Sequence, residues 1–286
     1  MSCSKALNLP DLNIWRNKVD NITRQVKKLD TGDQVQLGIG QIAEIKPQGL
    51  IMLALICQQI YDKIGTPVSF DNPKYETTLQ LTNLGFFDFP FACVKSKFGL
   101  FYKANKRNPL MDSKLTLIRN PSDVSAFNNK INELICACFP KTSHLKGIST
   151  IIAELCNNSL EHSKGYGIMG ECYCAIQKYV YSGKNAVSIC IGDLGLGIRQ
   201  HLKLKYTQIL NSDVDCIKKV LDGYSGRQDG SGGMGIPFIR DKVNSNQGQF
   251  HIRSGRGLVE FGADNGIRKF ESITSFPGTQ SLIIIQ

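Results

Sequence analysis

The stretch "HLKGISTIIAELCNNSLEHS" (His144–Ser163) carries Glu154, Asn158 and His162 at steps of four. On a helix, steps of four fall on one face. Ile148, Ile152, Leu155 and Ser159 fall on another face and are read as the side that packs on a sheet. A carboxylate, a carboxamide and an imidazole in one line are more than solubility requires. Taken alone, the same stripe also reads as the polar, solvated face of a helix.

Three further segments carry chemistry. In "IGDLGLGI" (Ile191–Ile198), Asp193 falls where a strand ends, and Gly195 and Gly197 let the backbone approach a ligand. A buried carboxylate at that point accepts a hydrogen bond from an exocyclic amine. In "GSGGMGIPFIRDKV", Gly230, Gly232, Gly233, Met234 and Gly235 open a helix. Free backbone N–H groups and the helix dipole there favour a phosphate. In "PGTQSLIII", Thr279 precedes a last strand, where its hydroxyl is within reach of a phosphate. Between Ile198 and Gly230, Arg199, Lys203 and Arg227 are the candidate cations for an anionic ligand. Arg227 is the leading one, because it lies just ahead of the glycine-rich loop.

The order of these pieces is Glu-x-x-x-Asn on a helix, then Asp-x-Gly-x-Gly, a variable segment, a glycine-rich helix start, and Gly-Thr before a strand. It resembles the GHKL ATPase superfamily of gyrase, Hsp90, the histidine kinases and MutL. The resemblance covers residues 113–286. It implies a Bergerat ATP-binding fold, a two-layer α/β sandwich of helices on a mixed, largely antiparallel sheet, with a lid over residues 199–230. It also implies Mg-ATP as ligand. Asp193 would read the adenine amine, Asn158 would ligate Mg²⁺, and Glu154 would orient or deprotonate a hydroxyl or water. The glycines of the box and Thr279 would hold the phosphates. In "GSGGMG" the match to the family's glycine positions shifts by one residue, and Gly233 and Gly235 carry over most directly. His162, and the strand and helix ahead of the Glu154 helix, resemble the compact anti-sigma-factor serine kinases.

The elements that position these residues follow from the hydrophobic pattern. "LTLIRN" (Leu115–Asn120) reads as a strand, and "PSDVSAFNNKINELICACF" (Pro121–Phe139) as a helix opened by Ser122. Strands are expected over Met169–Tyr181 and Ala186–Ile191, and three or so over Gln249–Gln286. Residues 1–90 form a smaller α/β unit. "QVQLGIGQI" (Gln34–Ile42) is its strand, and "QGLIMLALICQQIYDKIG" (Gln48–Gly65) a helix stopped by glycine. "TPVSF" (Thr66–Phe70) is a second strand. "NPKYETTLQLTNLGFF" (Asn72–Phe87) is a helix capped by Asn72 with Pro73 at its first position. This order weakly resembles a STAS-like domain, without the Asp-Ser phosphoacceptor pair, so a docking or scaffold role is implied. Residues 91–112 read as a basic linker or hairpin. The whole chain is thus expected to be α+β.

The 286 residues carry a formal net charge of +10. That balance suits anionic partners such as nucleotides, acidic protein surfaces or nucleic acid. The basic aromatic stretch "KSKFGLFYKANKRNP" offers either stacking on nucleic acid or a solvated hairpin, with the hairpin favoured. Met1–Pro10 has no apolar signal core. The apolar run Leu50–Cys57 is too short for a bilayer, so a cytoplasmic protein is expected. The ten cysteines show Cys-x-Cys pairs at Cys136/Cys138 and Cys172/Cys174, not the Cys-x-x-Cys of common zinc sites. They read as buried small hydrophobes in a reducing compartment.

Three functions fit: a protein kinase or binding switch acting on a partner protein, an ATP-hydrolysing conformational switch, and a non-enzymatic ATP-sensing module. No transducer segment follows Thr279, which weighs against a clamp. None of the four histidines lies ahead of Ser113, which excludes a sensor histidine kinase. A STAS-like or regulatory protein partner and a homodimer are both compatible.

Overall fold

The computed structural model describes residues 4–13, 19–39, 44–70, 74–93, 114–139, 147–163, 170–181, 183–206, 211–225, 235–245, 248–262 and 267–286. The chain is mixed α/β with one parallel and one antiparallel sheet. The amino-terminal unit runs β1 (Ser4–Asn8), α1 (Asp20–Lys27), β2 (Gln34–Gly38), α2 (Pro47–Ile64), β3 (Val68–Phe70), α3 (Tyr75–Asn83) and β4 (Ala92–Cys93). Its four strands pair in parallel in the order β1-β2-β3-β4. The second unit runs β5 (Thr116–Ile118), α4 (Pro121–Cys138), α5 (Ile148–His162), β6 (Cys172–Tyr181), β7 (Lys184–Gly192), α6 (Gly197–Lys203), α7 (Asp213–Leu221), α8 (Gly235–Ser245), β8 (Gln249–Phe261) and β9 (Ile267–Ile285). Its sheet has the order β5-β6-β7-β9-β8, and every described pair is antiparallel.

Both faces of the antiparallel sheet are apolar, and both are covered. Along β6 the side chains alternate as a pleated strand requires. Cys172, Cys174 and Ile176 join a core with α4, α5 and α8. Tyr173 and Ala175 join a second core with α2. Within the second unit α4, α5 and α8 cover one face of the sheet, and α2 of the amino-terminal unit covers the other. This accounts for the composition of α2, in which the consecutive run Leu50–Cys57 is wholly buried. A helix that is apolar all round must be covered all round. Here β2 and β3 lie in the same core as the outward face of β6 and β7. The contact is close: a Cβ on Gly192 of β7 would come within 2.6 Å of Ile51 and 3.1 Å of Leu55. The Tyr173 hydroxyl also donates to Gln58 of α2 at 2.8 Å.

Several boundaries differ from the sequence reading. The cap of α4 is Asn120, whose side chain accepts from the Asp123 amide at 3.1 Å, with Pro121 in the first turn. Ser122 instead lies inside the helix and hydrogen-bonds the capping Asn120 side chain. The helix α3 begins at Tyr75 after an extended Lys74, and Asn72 and Pro73 lie outside the described residues. Gln249–Gln286 forms two long strands rather than three, because the β8–β9 ladder absorbs its glycines as register shifts at Ser254/Gly255 and Gly255/Gly257. At that bulge the Asp213 carboxylate of α7 accepts the Arg256 amide at 2.8 Å. Most of the basic segment 91–112, and residues 226–234, lie outside the described residues. Among the described residues no helix is long and apolar enough to cross a membrane.

Candidate functional site

The helix α5 buries Ile148, Ile152, Leu155 and Ser159 and leaves Glu154, Asn158 and His162 partly exposed. Those three line a cleft between α5, α6, the start of α8 and the ends of β7 and β9. The cleft holds about 950 Å³ of empty space, open solvent at its mouth included. From Glu154 to His162 the helix advances about 12 Å, so the stripe runs along one wall.

Asp193 forms the floor, 5% exposed. Its Oδ1 accepts the Gly195 amide at 2.9 Å and the Thr279 amide at 3.2 Å. Its own backbone N–H donates to the Thr279 carbonyl at 3.0 Å, and Gln280 Nε2 donates to its carbonyl at 3.2 Å. A residue so held has a fixed orientation. Burial pushes the Asp193 carboxyl up to about 6, while the Gly195 amide, the Ser159 hydroxyl and the Thr279 amide pull the other way. A charge removed from water with incomplete compensation is available to a ligand donor.

The glycines serve two different ends. Gly197 has φ +76°, and a Cβ there would meet the Ser254 hydroxyl at 2.9 Å; Gly197 itself lines the cleft. A side chain on Gly278, φ +74°, would drive into the Asp193 carbonyl, so the Gly-Thr pair is what lets β9 pass under the carboxylate. Gly195 answers to packing: its Cβ would lie 2.6 Å from Ser163 Cα and 2.8 Å from the His162 carbonyl. It admits the end of α5.

At the other end of the cleft, Gly235 opens α8 beside the polar stripe. A Cβ on it would stand 2.9 Å from Glu154 Oε2 and 3.8 Å from Asn158 Nδ2. The first amides of an 11-residue helix therefore begin next to Glu154 and Asn158. Gly232, Gly233 and Met234, and the cation candidate Arg227, lie outside the described residues. Arg199 and Lys203 do not line the cleft. Arg199 turns to α7, 3.5 Å from Asp213, and ties α6 to it. Lys203 is exposed. Thr279 sits at the Asp193 end, its hydroxyl 3.3 Å from that of Ser254.

Sequence reasoning did not single out several cleft residues. Ser159 was assigned to sheet packing, yet its hydroxyl reaches Asp193. His201 of α6 lies against His162 with ring centroids 3.9 Å apart and the ring planes tilted by 36°. Tyr224, after α7, stands at the mouth with the Lys219 ammonium 4.5 Å from its ring centre. Ile198, Val220, Ile236 and Ile252 supply apolar wall. Only the serine had a local signal, being the residue next to Asn158.

Chemically, the cleft offers an acceptor on a rigid floor, apolar walls beside it, and a helix start with a carboxylate and a carboxamide at the far end. No protein-family model matches the chain, and no curated protein matches it.

Proposed function

We propose that the chain binds Mg-ATP in this cleft and uses it to phosphorylate, or to bind reversibly, a partner protein. Mg-ATP binding is what the resemblance of the motif order to the GHKL class implies, and action on a partner protein is what the layout of the anti-sigma kinases implies. The observation that carries the reading is Asp193: a buried, rigidly held carboxylate with apolar walls, at one end of a cleft whose other end gathers Glu154, Asn158 and a helix start.

The residues fit the ligand in chemical kind. Asp193 accepts a hydrogen bond from the exocyclic amine of adenine, with Thr279 supporting the carboxylate at the same end. Ile198, Val220 and Ile236 flank an aromatic base. The amides that begin α8 at Gly235 donate to phosphate oxygens. Asn158 presents a neutral oxygen, the donor type that Mg²⁺ accepts. When bound, Mg²⁺ neutralises phosphate charge. Glu154 lies one turn from Asn158, where it positions an attacking hydroxyl or water and accepts its proton. The partner is a protein presenting a serine or threonine, a STAS-like protein or other regulator. The amino-terminal unit, whose α2 already covers the back of the sheet, acts as a scaffold.

The alternatives are an ATP-hydrolysing switch and a non-enzymatic ATP sensor. Incubation with γ-labelled ATP and Mg²⁺, with and without candidate partners, separates all three. Label on the partner supports the kinase, free phosphate the hydrolytic switch, and bound nucleotide without either the sensor. Failure to bind ATP at all overturns the reading.

A further inference from the structure

A second cluster lies behind the cleft, on the opposite side of α5. Cys156 points from α5 onto the face of β6 that carries Cys172 and Cys174. Cys-x-Cys on a strand sets both sulfurs on one face, and the helix above supplies the third. The Sγ atoms of Cys156 and Cys174 are 3.8 Å apart, those of Cys172 and Cys174 4.0 Å, and all three lie within 4.8 Å of one another. All three side chains are fully buried.

These spacings have a specific meaning. A metal ion bound to thiolates at ~2.3 Å separates its sulfurs by ~3.8 Å in a tetrahedral arrangement and ~4.0 Å in a trigonal plane. The Cys156–Cys174 and Cys172–Cys174 separations fall in that range, and the third pair lies within 4.8 Å. Three sulfur donors without an oxygen or imidazole select a soft ion. Among the described residues no further Cys, His, Asp or Glu joins the group.

We infer that Cys156, Cys172 and Cys174 form a structural site for one thiophilic d¹⁰ metal ion, Zn²⁺ or Cu⁺, that clamps α5 to β6. Binding converts the thiols to thiolates and releases their protons to solvent. The ion would fix the helix whose other face carries Glu154, Asn158 and His162. This inference is independent of nucleotide binding, since none of its ligands lines the cleft.

The test is metal content and its dependence on these sulfurs. The chain is expressed in zinc-supplemented medium, and is also refolded under reducing conditions with Zn²⁺ or with Cu⁺. After desalting, metal per chain is counted by plasma mass spectrometry, and the two arms tell which ion is kept. One ion per chain is expected, absent in Cys156→Ala and retained when exposed Cys136 is changed to Ala. The metal-loaded protein should melt several degrees above the metal-free one. Because Cys156→Ala could fail to fold, the wild-type chain refolded with Co²⁺ gives a second readout, an intense thiolate-to-cobalt band in the near ultraviolet. Retention of neither ion together with no cobalt band, equal retention in a folded Cys156→Ala protein, or a mass deficit of two hydrogens from a disulfide within the trio would overturn the site.

Discussion

The helices α2 and α5 cover opposite faces of the same antiparallel sheet, and they do so with different chemistry. The run Leu50–Cys57 of α2 has no polar member and is wholly enclosed between two sheets. The helix α5 buries one side and keeps Glu154, Asn158 and His162 in line on the other, facing a cleft. One face of the sheet is committed to packing, and the helix on the other opens onto a cleft. The difference teaches where substitutions should cost stability and where they should cost function.

The largest expected effect is functional. Under the proposed function, Glu154→Gln should lower turnover or phosphotransfer by about 10²–10⁴-fold while ATP affinity stays within a few-fold. A general base acts in the transition state, and its negative charge does not help bind phosphates beforehand. Asn158→Ala should instead lose the Mg²⁺-dependent part of binding. Nucleotide titration beside product release separates the two, and full activity in Glu154→Gln would reduce the stripe to a solvated helix face.

On the opposite side of the sheet, Leu55→Ala of α2 should destabilise the fold by about 2–5 kcal/mol through the cavity it leaves. Denaturant melts on both variants sharpen the contrast, because Asn158→Ala should cost under about 1 kcal/mol. A Leu55→Ala cost as small as that would mean α2 does not seal the sheet as the packing indicates.

The third expectation is pH dependence at Asp193. Its carboxyl in the fold is pushed up to about 6 from the usual 3.8. The folded state therefore holds the proton more tightly than the unfolded chain. Its contribution favours folding below pH 3.8 and is lost as pH rises through about 6. This contribution should make thermal melts of the ligand-free chain fall over that window, and Asp193→Asn should remove that part of the slope. The proposed ATP affinity should move oppositely. At pH 5 roughly a tenth of the carboxyl is ionised, so affinity should fall about tenfold from its value at pH 8. The smallest effect is expected at exposed Lys203, where alanine should leave stability within about 0.5 kcal/mol and ATP affinity unchanged.

What was legible in the sequence was what local spacing encodes. Steps of four put Glu154, Asn158 and His162 on one wall of the cleft. A carboxylate after a strand put Asp193 at its floor, and Gly65, with φ +75°, ended α2 where a glycine stop was read. What depends on distant segments was not legible. Nothing near Leu50 announces that β6 and β7 lie over it. The requirement for glycine at 195 comes from the end of α5, more than thirty residues earlier in the chain. The Cys172/Cys174 pair was visible, but its third sulfur lies on a helix. The strand count over 249–286 differs because the β8–β9 ladder continues through Gly255 and Gly257 with shifted register, which the local pattern does not announce.

The central claim is that Asp193 reads an adenine amine. Calorimetric titration of the wild-type chain with Mg-ATP and with Mg-GTP, and of Asp193→Ala with Mg-ATP, tests it most directly. The account predicts one ATP per chain and weaker GTP, whose ring presents a carbonyl where adenine carries the amine. It predicts a loss on the order of 1–3 kcal/mol or more in a folded Asp193→Ala protein. A folded Asp193→Ala protein that binds ATP as tightly as the wild type would contradict it.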